Sequence, residues 1–286
     1  MDWFKTLIKE IAKVIKGLLK DKVGRIGLIG VLIVIVLALG APMIATHDVT
    51  EMFAKSKLKP PSGDFLFGTD DFGRDVFSRI IFGARVSLKV GIISVGISAT
   101  SGFILGILAG YYEGKTDGII MGIMDVLFAF PSILLALFIV SVLGPNLTNT
   151  MIAIGIVSTP VFTRTVRASV ISVKSMEYIT SAKSIGLSSI RIILKHVAPN
   201  ILAPFTVQAT LALSSAILTE ASLSFLGLGI QPPNPSWGSM LSDSRKYMEL
   251  APWLAIAPSA FIIGTILSFN LLGDSLRDVL DPKFKL

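Results

Sequence analysis

The chain has 286 residues, of which 52% are hydrophobic and only 16% charged, and its mean hydropathy is +0.75. This composition excludes an ordinary soluble domain and indicates a membrane protein. The formal charge of +7 is not concentrated in a basic patch with interleaved aromatics, so it reflects membrane topology and attraction to anionic lipid, not nucleic-acid binding.

The first 22 residues form a basic amphipathic pattern. Lysines fill one helical face, and apolar residues recur on the other: Phe4, Leu7, Ile8, Ile11, Ile15 and Leu18. The pattern predicts a helix over 1–22 that lies on the inner membrane surface and contacts lipid. The alternative is a helix that packs on a soluble partner.

The remainder, 23–286, predicts a transmembrane domain. A bilayer core about 30 Å thick requires roughly 20 mostly apolar residues per helix. Six segments meet this requirement, at 26–45, 88–110, 119–144, 149–168, 203–227 and 252–272. The fourth is the least apolar, because it contains Pro160 and ends at Arg164 and Arg167, whose side chains can snorkel to the interface. An aqueous extension of that helix is the alternative.

Six spans place both termini on one side of the membrane. Most of the 26 Lys and Arg residues then lie on the side of the termini, which predicts that both are cytoplasmic. The connecting segments are external loops over 46–87 and 228–251 and a cytoplasmic loop over 169–202.

Motifs for catalysis are absent. Gly110 and Gly114 in the stretch GYYEGKT are separated by three residues, whereas a phosphate-binding loop requires four. We interpret this stretch as a cytoplasmic turn and expect no ATP binding by this chain. His47 and His196 fall on opposite sides of the membrane, and neither HExxH nor GxSxG occurs, so we expect no protease and no metal site.

Glycines recur every fourth residue at 102, 106, 110, 114, 118 and 122. Small residues at this spacing allow helices to approach closely in lipid. The repeat therefore predicts tight packing inside a bundle, and the alternative is a role in lining a path.

Glu220 is the deepest ionisable residue of the predicted spans. A single carboxylate that bonds to neighbouring Ser and Thr is typical of a packing role. Ion coupling in a secondary transporter is the alternative, but such proteins usually carry more intramembrane carboxylates or unwound spans.

The first external loop mixes acidic and basic side chains over 67–88. The residues are Asp70, Asp71, Asp75, Arg74, Arg79 and Arg85. Two interpretations are equally open: mutual salt bridges in a folded external cap, or a docking surface for a soluble partner.

The stretch 174–200 is unusually polar for this chain. Residues 177–185 predict a short helix that Gly186 ends, because glycine readily adopts the left-handed conformation. Ser188 or Ser189 can cap a second helix, which Pro199 ends and whose apolar face comprises Ile190, Ile193, Leu194 and Val197. The pair predicts a rigid elbow that presents the small residues Thr180, Ser181 and Ala182 to another protein. A plain connecting loop is the alternative.

Ala182, Gly186 and Pro199 agree with the pattern EAA-x3-G-x9-I-x-L-P, although Thr180 replaces its glutamate. This stretch resembles the EAA loop of ABC importer permeases. Further stretches, GTDDFGRDVFSRIIFGARVSL, DVLFAFPSILLAL, EASLSFLGLGIQPPNPSWGSML and the terminal DPKFKL, are similar to the C-type permease subunit of dipeptide and oligopeptide ABC importers.

The resemblance implies a type I importer permease fold and a non-catalytic subunit that forms half of a peptide pathway in a prokaryotic inner membrane. Its implied partners are a second permease, two cytoplasmic ATPases that bind ATP and magnesium, and an extracytoplasmic peptide-binding protein. The residues implied for ATPase coupling are Glu177, Tyr178, Thr180, Ser181, Ala182, Gly186, Leu187, Ser188 and Arg191. Those implied for binding-protein docking are Asp70, Asp71, Arg74, Asp75 and Trp237. Alternatives are transport of nickel or another solute, a secondary transporter and a non-transporting scaffold.

Overall fold

The computed structural model describes residues 13–280, and this part of the chain is helical without a β-strand. Residues 13–20 belong to a first helix, α1. The other helices are α2 (Lys22–Ile44), α3 (Val76–Tyr112), α4 (Gly114–Phe128), α5 (Ser132–Leu143), α6 (Leu147–Lys174), α7 (Glu177–Ser184), α8 (Ser189–Ile192), α9 (Ala198–Phe225), α10 (Trp237–Ser244) and α11 (Trp253–Leu280). A π-helical turn, Ile193–Val197, joins α8 to α9.

Within residues 13–280, four helices are long and apolar enough to cross a membrane: α2, α3, the joined helix Ser189–Phe225 and α11. The bent pair of α4 and α5 supplies a fifth span. The 28-residue helix α6 is long enough for a sixth, but hydroxyl side chains and two arginines lower its hydropathy. The prediction of an all-α membrane protein is confirmed, but α6, the least apolar of the six predicted spans, is not among the four helices and the bent pair that are apolar enough to cross a membrane.

The third predicted span, 119–144, is not one straight helix. It divides into α4 and α5, which meet at an angle of 89°. Pro131 stands at the break, where it has no N–H to donate and disfavours a helical conformation at Phe130. The prediction of a continuous span here is wrong.

Helices α3 and α9 begin earlier in the chain than the predicted spans 88–110 and 203–227. Helix α3 begins at Val76, because the Asp75 carboxylate accepts the Ser78 backbone N–H at 2.9 Å and caps the helix. Residues 76–87 of the predicted loop 46–87 are therefore helical. Pro199 does not end a helix. It follows the π-helical turn and lies in the first turn of α9, where its missing N–H is tolerated.

Both described termini lie at one end of the bundle, together with α7; we call this the coupling end. Gly17 of α1 packs on Val279, and the Ser275 hydroxyl donates to the Asp21 carboxylate that caps α2. This bond is the main cause that lowers the pKa of Asp21. Leu18 is buried while lysines of α1 are exposed, and the rest of the predicted interfacial helix, 1–12, lies outside the described residues.

The two halves of the glycine repeat lie in different surroundings, one covered by a neighbouring helix and one uncovered within the described residues. A Cβ on Gly106 would lie 2.6 Å from Val166, and one on Gly110 would lie 2.9 Å from Val170, so α3 and α6 are in close contact. The predicted tight packing is confirmed for this half. On α4, a Cβ at Gly118 or Gly122 would meet no atom within 4 Å. That half of the repeat is uncovered within the described part of the chain.

We expect Gly106→Leu to destabilise the chain strongly, because the new side chain must displace Val166 and separate α3 from α6. Overpacking of this kind costs about 1–3 kcal/mol or more. Gly118→Leu is the matched control, since the space beside it is open. Thermal unfolding of both purified variants in detergent measures the difference. Equal midpoints for the two variants would contradict the assigned contact.

Candidate functional site

The first half of the elbow, at the coupling end, forms as its sequence predicts, whereas in the second half Ser188 precedes α8 without a capping hydrogen bond from its side chain. Helix α7 ends before Gly186, whose φ is +79°. The Gly186 N–H donates to the Lys183 carbonyl at 2.9 Å, and the Leu187 N–H donates to the Ala182 carbonyl at 3.2 Å. This pair of bonds is a common helix C-terminal motif and fixes the direction in which the chain leaves α7.

The inner side of α7 is seated in the bundle. Ile179 is fully buried and Ala182 is 6% exposed, in a cluster with Val170 and Val173 of α6 and Val197 of the π-helical turn. Ala182 therefore contacts this chain's own core, and the prediction that it is presented to another protein is wrong. Its small size is needed for the contact between α7 and α6.

The outer side of the elbow carries most of the residues predicted for coupling. Glu177, Tyr178, Thr180, Ser181, Gly186, Ser188 and Arg191 are exposed, and Leu187 is half-buried. The predicted apolar face of the second helix divides: Val197 is buried, whereas Ile190 and Leu194 are exposed. The π-helical turn changes the side-chain register at this point. Ile185 is 77% exposed at the tip of the elbow.

Ile185 was not singled out from the sequence, although an isoleucine directly before a helix-ending glycine in a polar stretch is a usable signal. Ile185, Ile190 and Leu194 are each more than 60% exposed and belong to the same elbow as the polar residues predicted for coupling. We call these three side chains the elbow surface. Exposed apolar patches at a helix pair are typical of protein interaction sites.

Charged side chains link α4 to α6 near the coupling end. Arg167 binds Asp117 with two hydrogen bonds of 2.5 and 2.6 Å, and Arg164 binds Asp125 at 2.6 Å. The two arginines of the fourth span are therefore paired with carboxylates of the third. Opposite charges at this depth compensate one another, which reduces the cost of holding them in the bundle.

The opposite end of the bundle is a folded cap, formed by residues 45–75 and α10. Asp70 accepts from the Arg74 Nε at 2.6 Å, and the Arg79 Nε lies 3.8 Å from the same carboxylate. Asp75 accepts from the Thr46 hydroxyl at 2.9 Å and from the Ser78 hydroxyl at 2.6 Å. Of the two interpretations left open by the sequence, the geometry supports mutual salt bridging.

The residues predicted to dock a binding protein are mostly inaccessible. Asp70, Arg74 and Asp75 are buried, and Trp237 has no exposed surface. The Trp237 indole N–H donates to the Ile80 carbonyl at 2.9 Å. Only Asp71 of the five has an accessible side chain. For the four buried residues the docking hypothesis is corrected to a structural role, because charge pairing and aromatic burial fold the cap around them.

A cavity of about 520 Å³ opens between the cap and the end of α9; we call it the cap cavity. Its charged lining comprises Asp71, Arg74, Arg79, Asp243 and Lys246. Asp243 and Lys246 were not singled out from the sequence, where they stand in a short polar stretch without a motif. Partial burial raises the pKa of Asp243, and the neighbouring Asp71 charge acts in the same direction.

Glu220 lies within α9 and is fully buried. The Ser224 hydroxyl donates to one carboxyl oxygen at 2.6 Å, and the second oxygen has no hydrogen-bond partner within the described residues. The carbonyl of the next residue on α9, Ala221, contacts Gly238 of α10. Burial between α9 and α10 supports the predicted packing role over ion coupling.

Comparison with protein families matches two segments of the chain. Residues 102–286 match the family described as "Binding-protein-dependent transport system inner membrane component". Residues 11–61 match the family described as "N-terminal TM domain of oligopeptide transport permease C". The first segment contains the elbow and the second contains α2 and the start of the cap.

Characterised relatives match over nearly the whole chain. The "Dipeptide transport system permease protein DppC" of Alkalihalophilus pseudofirmus is 48% identical over 98% of this chain and 92% of its own. The "Di/tripeptide transport system permease protein DppC" of Pseudomonas aeruginosa is 47% identical over 91% and 88%. The "Glutathione transport system permease protein GsiD" of Escherichia coli is 48% identical over 89% and 84%.

A solved structure shares the fold. It is the MetNI methionine ABC transporter in inward-facing conformations, which aligns with a TM-score of 0.60 over 72% of this chain and 97% of that chain. The sequence identity is 14%, so this match concerns the arrangement of helices alone.

Proposed function

This chain belongs to the family of binding-protein-dependent transport system inner membrane components, and we propose that it forms half of the pathway for di- or oligopeptides. It is a permease subunit and not an enzyme. The observation that supports a peptide cargo is the relatedness of 45–48% to permeases named for dipeptides, di/tripeptides and glutathione. Nickel complexes are the alternative cargo within the family.

Uncovered hydroxyl groups favour α9 as a pathway helix. Ser215 is exposed, and Thr219 and Ser222, on the same helical face, are half-buried. Hydroxyls of α9 donate to backbone carbonyls of their own helix, as in the 2.8 Å bond from Thr206 to Leu202. They still accept hydrogen bonds from water or a peptide. The uncovered face of α2 is aliphatic instead: Ile26, Ile29, Leu32, Ile33, Val36, Leu39 and Met43. We assign α2 to lipid and the open face of α9 to water.

We propose that the elbow surface receives a cytoplasmic ATPase. Family membership implies ATPase and substrate-binding partners. The elbow is suited to transmit force, because Ile179 anchors it to α6 while Ile185, Ile190 and Leu194 are 65–77% exposed for contact. The remaining proposed partners are a second ATPase, a second permease and an extracytoplasmic peptide-binding protein. Both termini are proposed to be cytoplasmic, since they lie at the coupling end.

Reconstitution tests the proposed function. We expect the purified chain alone to show no ATP hydrolysis and no uptake, because it has no nucleotide site and only half of a pathway. The complex copurified from the native membrane, with its binding protein, should hydrolyse ATP and accumulate labelled dialanine in proteoliposomes.

Four results would contradict this function. Uptake by the chain alone that an uncoupler abolishes would indicate a secondary transporter. Absence of any flux by the whole complex would indicate a scaffold. Uptake of nickel that dialanine does not inhibit would identify nickel, and not peptide, as the cargo. Hydrolysis by the chain alone, after removal of contaminating ATPases, would contradict its non-catalytic role.

A further inference from the structure

We propose that the cap cavity binds the two charged ends of a free peptide, its ammonium at Asp71 and Asp243 and its carboxylate at Arg74 and Arg79. This inference rests on the proposed function and gives it a binding site outside the helical bundle. It would hold the peptide after release from the binding protein and before passage along α9.

The cavity has a suitable size and position. Its volume of about 520 Å³ lies within the range of roughly 300–1,000 Å³ that small-molecule sites occupy. Ser224 and Gly227, at the external end of α9, form part of its lining. A ligand in the cavity therefore lies at the end of the helix whose hydroxyl face we assign to the pathway.

The basic residues of the cavity are Arg74, Arg79 and Lys246. Arg74 binds the Asp70 carboxylate, and the opposite charges of Asp70, Asp243 and Asp71 all act on Arg79. Both arginines are less than 10% exposed, so their charges are only weakly screened by water. The Arg79 Nη1 donates to the Val49 carbonyl at 2.9 Å and contacts the Pro233 carbonyl at 3.4 Å, which holds the side chain in place. Held guanidinium groups are well suited to a carboxylate.

The acidic residues of the cavity are Asp71 and Asp243, and their charges interact with those of Arg74 and Arg79. Asp71 and Asp243 line the cap cavity together, and both also line a smaller cavity beside it with Arg79. The like charge of Asp71 is one of the causes that raise the pKa of Asp243. A bound ammonium would compensate both carboxylates. The C-terminal turn of α9 also favours an ammonium in this part of the cavity, because helix C-termini attract cations.

Hydroxyl groups supply the neutral part of the site. Ser239 and Ser242 also line the cavity. Hydroxyls can donate to or accept from a peptide bond of any sequence. The cavity thus recognises features that all free short peptides share, and no pocket for one particular side chain is needed.

Calorimetric titration with dialanine tests the proposal. The full-length chain, with its copurifying membrane partners but without binding protein, is placed in nanodiscs. Asp243→Asn should weaken dialanine binding at least about tenfold, because the ammonium then meets a neutral amide oxygen in place of a carboxylate. N-acetyl-dialanine lacks the ammonium, so its affinity for the unmodified protein should be lower than that of dialanine by the same factor. Asp243→Asn should not change the affinity for N-acetyl-dialanine. Asp64→Asn, at an exposed external carboxylate away from the cavity, is the matched control.

The arginine side is tested from the ligand, because Arg79→Gln can prevent folding. Dialanine amide, which lacks the carboxylate, should also bind at least about tenfold more weakly. Equal binding of dialanine and its two capped forms, or no binding of dialanine at 10 mM (about the weakest detectable range), overturns the proposal.

Uptake separates this inference from the proposed function. If the reconstituted transporter accumulates dialanine equally with and without Asp243→Asn, and dialanine does not bind the cavity, the site is wrong while the peptide importer stands. If Asp243→Asn leaves dialanine binding intact but abolishes capture of the purified binding protein, the cavity is a docking site for that protein and the proposal fails. If no peptide is transported at all, both fail.

Discussion

Trp237→Ala is expected to lower the thermal midpoint of the purified chain by about 10 °C. The indole is fully buried, packs against the core of α2, α3, α9 and α11, and donates to the Ile80 carbonyl. Removal of a large buried aromatic side chain costs about 3–5 kcal/mol, and about 2–4 °C per kcal/mol applies to chains of 150–250 residues. Gly83 packs directly against the Trp237 ring, and Gly238 packs directly against Ala221 of α9. Because these backbones are already in close contact, they cannot easily move into the void that Trp237→Ala leaves.

Trp237→Phe is the matched control, because it keeps one aromatic ring while it removes the hydrogen bond and part of the buried volume. We expect it to cost less than Trp237→Ala, about 1–3 kcal/mol. Scanning fluorimetry in detergent measures both midpoints, and capture of the purified binding protein is measured in parallel. An unchanged midpoint for Trp237→Ala combined with lost capture would restore the docking role that the sequence resemblance implied for this residue.

Gly186→Val is expected to uncouple ATP hydrolysis from peptide uptake. A Cβ at this position would meet no atom within 4 Å, so the substitution has no steric neighbour to disturb. Its effect is conformational, since a β-branched residue is strained at the φ of +79° found here. The cost of about 1–3 kcal/mol is relieved when the chain turns at a different angle, which moves Ile185 and the elbow surface away from the ATPase.

Gly186→Asn isolates the conformational effect, because asparagine tolerates the left-handed region. We expect it to retain most of the coupling, while Gly186→Val shows lost ATPase attachment or hydrolysis without uptake. Insertion and pairing with the second permease should be normal for both. Normal attachment, hydrolysis and uptake by Gly186→Val would mean that the elbow is only a connector.

Ala182 illustrates a site residue whose role was predicted in part. Its place in the motif and its small size are visible in the sequence, and both suggest close approach by a partner. The structure shows that the close approach is made by α6 of the same chain. The side of α7 on which a residue lies depends on how the elbow is seated, and an eight-residue helix is too short for periodicity to show this.

The glycine repeat and the docking residues depend even more on tertiary contacts. Gly106 and Gly118 occupy equivalent positions in the repeat, yet only Gly106 faces a neighbouring helix. Trp237 is buried because it meets Ile80, 157 residues away in the chain. No local pattern reports such a pairing, so exposed aromatic and charged residues of the cap could not be distinguished from buried ones.

The sequence by itself determined the class of protein, the approximate spans and the elbow. These features depend on local physical chemistry: the length of an apolar run against the bilayer, and the backbone freedom of Gly186 and Pro131. The tertiary structure decided which faces are covered, the 89° bend between α4 and α5, and the cap cavity with its charged walls. Those features arise where segments distant in the chain pack together, because burial and charge pairing depend on neighbours that local periodicity does not specify.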